Sequence, residues 1–294
     1  MADADPWTMQ VNRVLARNPG PMTLEGTNTL VVRNPDHHGV LVIDPGPLDV
    51  LHLERLTRLG RVELILLTHH HGDHTQSAHR LAAMSSAPIR AADERLCLRA
   101  GPLVDGEEIV AGGVRLNVIE TAGHTADSLC FYLPDDRPID VPRKTGSMIT
   151  GDTILGRGTP VISEGASALR DYLSSLHRLA DYGDAVVIPG HGPRLDNLRA
   201  VSELYLNHRL GRLRDVERVA KELRDAGDLV TASNVASRVY AHVDEETKWA
   251  AEASAATQLA FLAAETSEPE RGTSASSAVH RFDEGFARRE GPGR

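Results

Sequence analysis

The sequence is poor in cysteine and aromatic residues and has no long apolar run. Its 294 residues include two cysteines, Cys97 and Cys130, and no Cys-x-x-Cys pair, which excludes a disulfide framework. No stretch reaches the roughly 18 apolar residues of a membrane span. The acidic N-terminus lacks the basic start of a signal peptide. We therefore expect a cytoplasmic protein without a membrane partner, in which both cysteines are buried apolar side chains.

Lysine is scarce as well, and acidic residues outnumber basic ones, 41 to 32. The formal net charge of −9 argues against broad, non-specific attraction to nucleic acid or to an anionic membrane. This count leaves open a local basic groove and omits the charge of any bound metal ion. Lysine occurs only at Lys144, Lys221 and Lys248, whereas Ala and Arg abound. This skew is typical of a GC-rich bacterial genome.

Short apolar runs alternate with amphipathic segments along the first two thirds of the chain. Runs of this length fit buried strands, and apolar residues at helical spacing fit helices packed on them. The alternation predicts an α/β protein with mixed sheets. The predicted strands cover residues 29–33, 39–44, 62–67, 89–91, 114–119, 128–133, 147–150 and 185–188, and the predicted helices 50–59, 75–84 and 168–180.

The character of the sequence changes after Pro193. Three helices are predicted there, and Thr231 or Ser233 can cap the second of them. The last segment is rich in Ser, Glu, Gly and Arg, a composition typical of disorder. The predicted helices cover residues 198–226, 234–241 and 244–264. The predicted domains are a core at 1–199, a helical domain at 200–265 and a disordered tail at 266–294.

The most informative motif is THHHGDH, at residues 68–74, which follows a buried strand. Residues two apart in an extended chain point the same way, so His69 and His71 can bind one metal ion together. Gly72 allows a sharp turn, after which Asp73 and His74 can face a second ion. Imidazole and carboxylate donors suit zinc, and they also suit iron or manganese.

Further ligands must come from other loops, because four ligands from one loop cannot enclose two ions. His124 in TAGHTADS, Asp152 in TGDT and His191 in PGHGP each lie beside an apolar strand. A carboxylate such as Asp152 can bridge two cations, which can then share a water and lower its pKa. The pattern therefore predicts a hydrolase with two divalent metal ions.

In this order, THHHGDH, TAGHTADS, TGDTILGRG and PGHGP resemble the motifs of the metallo-β-lactamase superfamily, over roughly residues 10 to 200. The resemblance implies a four-layer αββα sandwich of two sheets with outer helices. It implies that a metal-bridging hydroxide is the nucleophile and that Asp73, the catalytic residue, orients it or takes a proton. His70 falls at a variable position. The implied ligands are His69, His71 and His124 for the first ion, Asp73, His74 and His191 for the second, and Asp152 between them.

A closer resemblance is to the β-lactamase-like protein 2 family. It is carried by NPGPMTLEGTNTLVV, by GDTILGRGT, and by PGHGPRLDN followed by YLNHR. That family has a small winged-helix-like C-terminal domain, and its human-type members are described as endoribonucleases that act on single-stranded RNA. Where the basic β wing is expected, this chain has LAAETSEPERG, which is a poor strand.

Three functions remain open at this stage. The leading expectation, which the closer resemblance implies, is hydrolysis of single-stranded RNA. The second is glyoxalase II-like hydrolysis of a small ester or thioester, which the same metal pair suits. The third alternative is a nucleic-acid-binding regulatory protein with a metal-stabilised core, against which the complete ligand set argues. Fold alone does not choose among them, and the sequence gives no signal for the oligomeric state.

Several other residues are expected near the site. Asp44 in VIDPG is expected to orient a ligand, and Gly123 and Gly190 to let the backbone bend beside one. For other residues we weigh a role at the site against an ordinary structural position. Thr27 and Asn28 either approach the site or form a plain turn. His208 and Arg209 either meet an anionic group at the site or lie on a helix surface. Residues 135–146 either contact substrate or form a surface loop.

Overall fold

Two β-sheets form the centre of the computed structural model, which describes residues 4–143 and 145–267. The six strands of the first sheet are β1 (Asp5–Pro6), β2 (Val11–Leu15), β3 (Asn28–Val32), β4 (Gly39–Ile43), β5 (Arg61–Leu66) and β6 (Ile89–Arg90), in that spatial order. The five strands of the second are β7 (Glu108–Ala111), β8 (Val114–Glu120), β9 (Leu129–Leu133), β10 (Ser147–Gly151) and β11 (Val186–Pro189), also neighbours in sequence order.

Seven α-helices surround the sheets in the described residues. They are α1 (Val50–Arg58), α2 (Gly72–Thr75), α3 (Ala78–Ser85), α4 (Ala166–Ala180), α5 (Leu198–Asp225), α6 (Ala232–Val239) and α7 (Lys248–Ser267). Two short 3₁₀ turns lie at Glu94–Leu96 and Glu245–Thr247. None of these helices is long and apolar enough to cross a membrane.

Both sheets are mixed, as predicted. In the first, β4, β5 and β6 are parallel and the remaining pairs are antiparallel. In the second, only β10 and β11 are parallel. Parallel neighbours need a crossover connection, and the crossover from β5 to β6 contains the histidine-rich loop, α2 and α3.

Alternating side chains separate the layers. Along β4, Leu41 and Ile43 face the second sheet, whereas Val40 and Val42 pack against the side that α1 and α3 cover. The outer face of the second sheet, which includes Met148, packs against α4. The four layers are therefore helices, sheet, sheet and helices, which confirms the predicted αββα sandwich.

The helices after residue 197 join the same core. One hydrophobic cluster contains Leu173 and Leu176 of α4 together with Leu213 of α5 and Phe261 of α7. As predicted, the Thr231 side chain caps α6, accepting the Asn234 N–H at 3.1 Å. The described part of this region, residues 198–267, contains helices and no strand.

Two predicted domain boundaries fall within these helices. The predicted boundary at residue 200 falls just inside α5, and a separate winged-helix-like domain stays a prediction. The predicted tail, residues 266–294, lies outside the described residues except for its first two, which end α7.

Two features of the fold differ from the sequence-based expectation. The helix predicted at 75–84 is two helices, because Ser77 turns the chain: its N–H donates to the Gly46 carbonyl and its hydroxyl to the Pro47 carbonyl. Strands β1, β2 and β7 were not predicted. In β2, polar Asn12 and Arg13 interrupt the apolar pattern between Val11 and Val14.

A matched pair of leucines on α5 tests whether this helix belongs to the core. Leu213→Ala removes a side chain that is 1% exposed and is expected to lower the free energy of unfolding by about 2–5 kcal/mol. Leu204→Ala removes one that is 66% exposed and should change it by about 0.5 kcal/mol or less. Urea unfolding of the full chain measures both. Equal effects of the two substitutions would contradict the packing described here.

Candidate metal centre

The seven predicted ligands converge at one edge of the sandwich. Each lies just beyond a strand: the loop after β5 and the following α2 supply four of them, and the ends of β8, β10 and β11 supply one each. Because these strand ends meet at one edge, side chains distant in sequence share one small volume. The structure brings together His69, His71, Asp73, His74, His124, Asp152 and His191.

The first group consists of three imidazoles. His69 Nε2 lies 3.0 Å from His71 Nδ1, and His124 Nε2 lies 3.1 Å from the same atom. A tetrahedral zinc ion with bonds of about 2.05 Å would hold its nitrogen ligands about 3.3 Å apart. The three nitrogens are therefore close to the spacing that one ion requires. His71 points inward with Nδ1, whereas the other two point with Nε2.

The second group combines one carboxylate with two imidazoles. His191 Nε2 lies 3.2 Å from His74 Nε2 and 3.1 Å from Asp73 Oδ2. The distance between His74 Nε2 and Asp73 Oδ2 is 3.5 Å. All three atoms thus surround one point, beside the first group.

Asp152 lies between the two groups. Its Oδ1 is 3.5 Å from His74 Nε2, and its Oδ2 is 3.5 Å from His191 Nε2 and 3.8 Å from His124 Nε2. Oδ1 is buried and has no hydrogen-bond partner among the described residues. A buried carboxylate oxygen without a donor is costly, and a cation would satisfy it. The donor set and this oxygen therefore fit a pair of divalent ions.

Gly190 makes this arrangement possible. A Cβ at this position would lie 2.5 Å from Asp152 Oδ1 and 2.8 Å from His74 Cε1. Gly123 has φ of +143°, and a Cβ there would lie 2.4 Å from that of Tyr172. As expected, both glycines let the backbone pass beside a ligand.

Hydrogen bonds fix the ring orientation of four histidines. His124 Nδ1 donates to the Val161 carbonyl at 2.7 Å, and His191 Nδ1 donates to the Gly26 carbonyl at 3.1 Å. His74 Nδ1 lies 2.9 Å from Asp44 Oδ2, and His69 Nδ1 lies 3.0 Å from the Thr68 hydroxyl. With Nδ1 engaged in each ring, the lone pair of Nε2 faces the centre.

Asp44 and the hairpin before β3 also support the ligand loops. Asp44 contacts the predicted ligand His74. The Thr27 hydroxyl donates to the Asp73 carbonyl at 3.1 Å. Asn28 Nδ2 donates to the carbonyls of Pro189 and Gly192, on either side of His191.

The three-histidine group is electrically neutral at neutral pH. Burial lowers the pKa of His69 well below its usual value, and the neighbouring imidazoles lower it further. Burial and the same kind of repulsion lower the pKa of His71 to about 4, and burial lowers that of His124. Their lone pairs are therefore free to bind a metal ion.

In the second group, neighbouring carboxylates raise the pKa of the histidines. Burial opposes a charge on His74, but Asp152 and Asp44 outweigh it and raise its pKa well above the usual value. Burial likewise opposes a charge on His191, but Asp73 and Asp152 outweigh it and raise its pKa. In return these imidazoles, against the effect of burial, hold the pKa of both carboxyls below the usual range. A metal ion that binds here must displace protons.

Other predicted candidates lie away from the two groups. His70 points to Asp127, with His70 Nδ1 2.7 Å from Asp127 Oδ1, and its side chain is 53% exposed. Arg209 does not reach the mouth of the site, because it is buried against Tyr172 and the Pro160 carbonyl. His208 is exposed. Cys130 is buried, as expected, and burial raises its pKa to about 11, whereas Cys97 is only partly buried.

A cleft of about 400 Å³ opens above the ligands. Its floor includes Asp73, and its walls include Met22 and Trp249, neither of which was predicted to lie near the site. Trp249 is in α7, more than fifty residues beyond the last ligand. Its exposure, 56%, is unusual for Trp, but the sequence alone does not reveal that exposure.

Comparisons with known proteins agree with this geometry. A family model described as the metallo-beta-lactamase superfamily matches residues 22–191, which contain all seven predicted ligands. The chain is 32% identical to a beta-lactamase-like protein 2 homolog of Caenorhabditis elegans over 79% of this chain and 76% of that protein. It is 29% identical to an atrochrysone carboxyl ACP thioesterase of Aspergillus fumigatus over 82% and 76%, respectively.

A solved structure has the same fold. A beta-lactamase domain protein from Burkholderia ambifaria superposes with a TM-score of 0.74, covering 90% of this chain and 88% of that one at 17% identity. These relatives include eukaryotic and bacterial proteins. The bacterial origin suggested by the composition therefore stays a prediction.

Two neighbouring histidines test the ligand assignment. His71→Ala removes the nitrogen that two other imidazoles face and should weaken binding of the first ion by more than about 100-fold. His70→Ala, its matched control, removes the contact with Asp127 and the edge contact with the His71 ring but no inward-facing nitrogen, and it should retain both ions. The metal content after dialysis, measured by mass spectrometry, separates the two results. Retention of both ions by the His71→Ala protein would refute the assignment.

Proposed function

The chain belongs to the metallo-β-lactamase superfamily, and from this premise we propose that it is a two-metal hydrolase of acyl thioesters or esters. Zinc is the proposed metal, since histidine nitrogens dominate the donor set. The observation that supports this substrate class is the lining of the cleft above the ligands.

The described residues give the cleft apolar walls. Met22, Val161, Ile162 and Trp249 line it, and no Lys or Arg does so among the described residues. Apart from the predicted ligands, the described lining has one charged residue, Glu164, which is exposed. Apolar walls favour an acyl chain, whereas a carboxylate at the rim repels a phosphodiester. The volume of about 400 Å³ suits a small or medium-sized molecule.

The chemistry follows from the side chains on the floor of the cleft. Two bound divalent ions would supply a water of lowered pKa and would polarise the acyl carbonyl. Asp73 is the more exposed of the two ligand carboxylates, 29% against 11% for Asp152, so it can contact substrate. His74 and His191 keep its pKa low despite partial burial, and the ionised carboxylate can orient the attacking water or accept its proton.

The named thioesterase among the relatives supports the same substrate class. It is a thioesterase that acts on an acyl group attached to a carrier protein, and its similarity covers most of both chains. By this analogy we propose a thioester as the first substrate to test.

Single-stranded RNA is the second candidate substrate. The observation that favours it is Trp249, an exposed aromatic ring at the mouth of the cleft, on which a base can stack. The described lining residues include no Lys or Arg, which argues against it, because phosphate contacts supply most of the affinity of RNA-binding proteins. RNA hydrolysis remains a prediction of the closer family resemblance.

A direct comparison of substrates tests the proposal. We expect zinc-loaded protein to hydrolyse N-acetylcysteamine thioesters, releasing thiol, while labelled single-stranded RNA stays intact. The His71→Ala protein should lose more than about 100-fold of the activity, whereas the His70→Ala protein should keep it. RNA cleavage that His71→Ala abolishes, without thioester turnover, would replace this proposal with the endonuclease function.

Trp249→Ala tests the contact with the acyl chain. Loss of the indole from the wall should raise KM for an octanoyl thioester about tenfold, equivalent to about 1.4 kcal/mol of binding energy. The kcat should change little, because the ring lies on the wall of the cleft and is not among the ligands. The acetyl thioester is the internal control, since it is too short to bury much of the ring. The same change in KM for both thioesters would contradict a role in chain binding.

A further inference from the structure

The motif YLNHR, residues 205–209 of α5, lies behind the candidate metal centre and has no part in the function proposed above. Two of its members, Tyr205 and Arg209, are buried, each 5% exposed, whereas His208 is exposed. Both buried side chains contact the connection between β10 and α4, residues 152–165. This connection begins at one predicted ligand, Asp152, and ends beside another, His124.

Tyr205 holds the first part of this connection. Its hydroxyl accepts the Leu155 N–H at 3.1 Å. The hydroxyl proton lies between two carbonyl oxygens, that of Gly158 at 2.7 Å and that of Leu155 at 2.9 Å. One phenol oxygen therefore fixes backbone groups on both sides of a turn close after Asp152.

Arg209 holds the next part. Its Nη2 donates to the Pro160 carbonyl, and its guanidinium carbon lies 5.2 Å from the ring centre of Tyr172. No carboxylate among the described residues forms an ion pair with it. A buried cation without an anion is costly, and the contacts that offset this cost are the aromatic ring and one carbonyl of the connection.

The connection in turn holds His124. The Val161 carbonyl, one residue after Pro160, accepts the proton of His124 Nδ1 at 2.7 Å. The Ser163 hydroxyl donates to the His124 carbonyl at 2.6 Å. The position of residues 160–163 therefore sets both the ring orientation and the backbone of this ligand.

We propose that Tyr205 and Arg209 are positioning residues for His124, and that α5 thereby sets the affinity of the three-histidine group for its metal ion. The rings of the second group are held elsewhere, because His74 Nδ1 donates to Asp44 and His191 Nδ1 donates to the Gly26 carbonyl. The connection touches this group at Asp152 and through the Gly156 N–H, which donates to the His191 carbonyl at 2.9 Å, whereas Arg209 bonds the Pro160 carbonyl beyond both points. The inference concerns metal binding, and it holds whichever substrate the cleft accepts.

Cobalt(II) titration in two single-site backgrounds tests the proposal. His191→Ala leaves the three-histidine group, and His124→Ala leaves the second group, so the absorption of bound cobalt reports on one group in each. Arg209→Met and Tyr205→Phe are added to both backgrounds. Arg212→Met is the matched control, because Arg212 lies on the same helix with its guanidinium carbon 5.3 Å from the ring centre of Tyr240 and does not touch the connection.

We expect Arg209→Met and Tyr205→Phe to weaken cobalt binding about 10- to 100-fold in the His191→Ala background. In the His124→Ala background the change should be less than about threefold, and Arg212→Met should have no such effect in either. Equal weakening in both backgrounds would mean a general loss of stability, and no weakening in either would mean no coupling; each result overturns the proposal. If Arg209→Met does not fold, Tyr205→Phe, which removes one oxygen, decides the test alone.

Discussion

The candidate metal centre depends on the hydrogen bonds that the buried carboxylate of Asp44 accepts. Asp44 follows β4, is 2% exposed and has φ of +51°, an uncommon conformation for a residue other than glycine. Its oxygens accept the N–H and the hydroxyl of Thr68, and Oδ2 also lies 2.9 Å from His74 Nδ1. One side chain thus joins the ends of β4 and β5 to the start of α2. The ligands of both metal groups on the THHHGDH loop take their positions from this junction.

The sequence predicted the parts of the structure that have a local cause. Short apolar runs predicted β3, β4, β5 and most strands of the second sheet, because a buried strand needs apolar side chains on both faces. The ligand types and their places at strand ends also follow from local pattern, since imidazole and carboxylate in glycine-containing turns suit metal binding. Strand β2 was missed because Asn12 and Arg13 break its pattern, and its pairing with β1 and β3 makes it a strand.

The parts that could not be predicted depend on contacts between distant residues. His124 and His191 are oriented by carbonyls of Val161 and Gly26, 37 and 165 residues away, and any residue type supplies a carbonyl. The sequence also does not predict that His71 faces the other two imidazoles with Nδ1 and not with Nε2. Trp249 reaches the cleft only because α7 packs against α4 in the shared core. The sequence left open whether Arg209 reaches the site or lies on a helix surface, and its burial against Tyr172 depends on how α5 packs against α4.

The C-terminal helices act on the two sides of the candidate site in different ways. α7 presents Trp249 to the cleft, whereas α5 supports from behind the connection that orients His124. A substitution at Trp249 can therefore change which substrate is bound without altering the metal ligands. A substitution at Arg209 would instead change the binding of the metal ions, because Arg209 does not contact the cleft in which substrate binds. Because one hydrophobic cluster contains both helices, a shift of α5 relative to α4 would affect both sides at once.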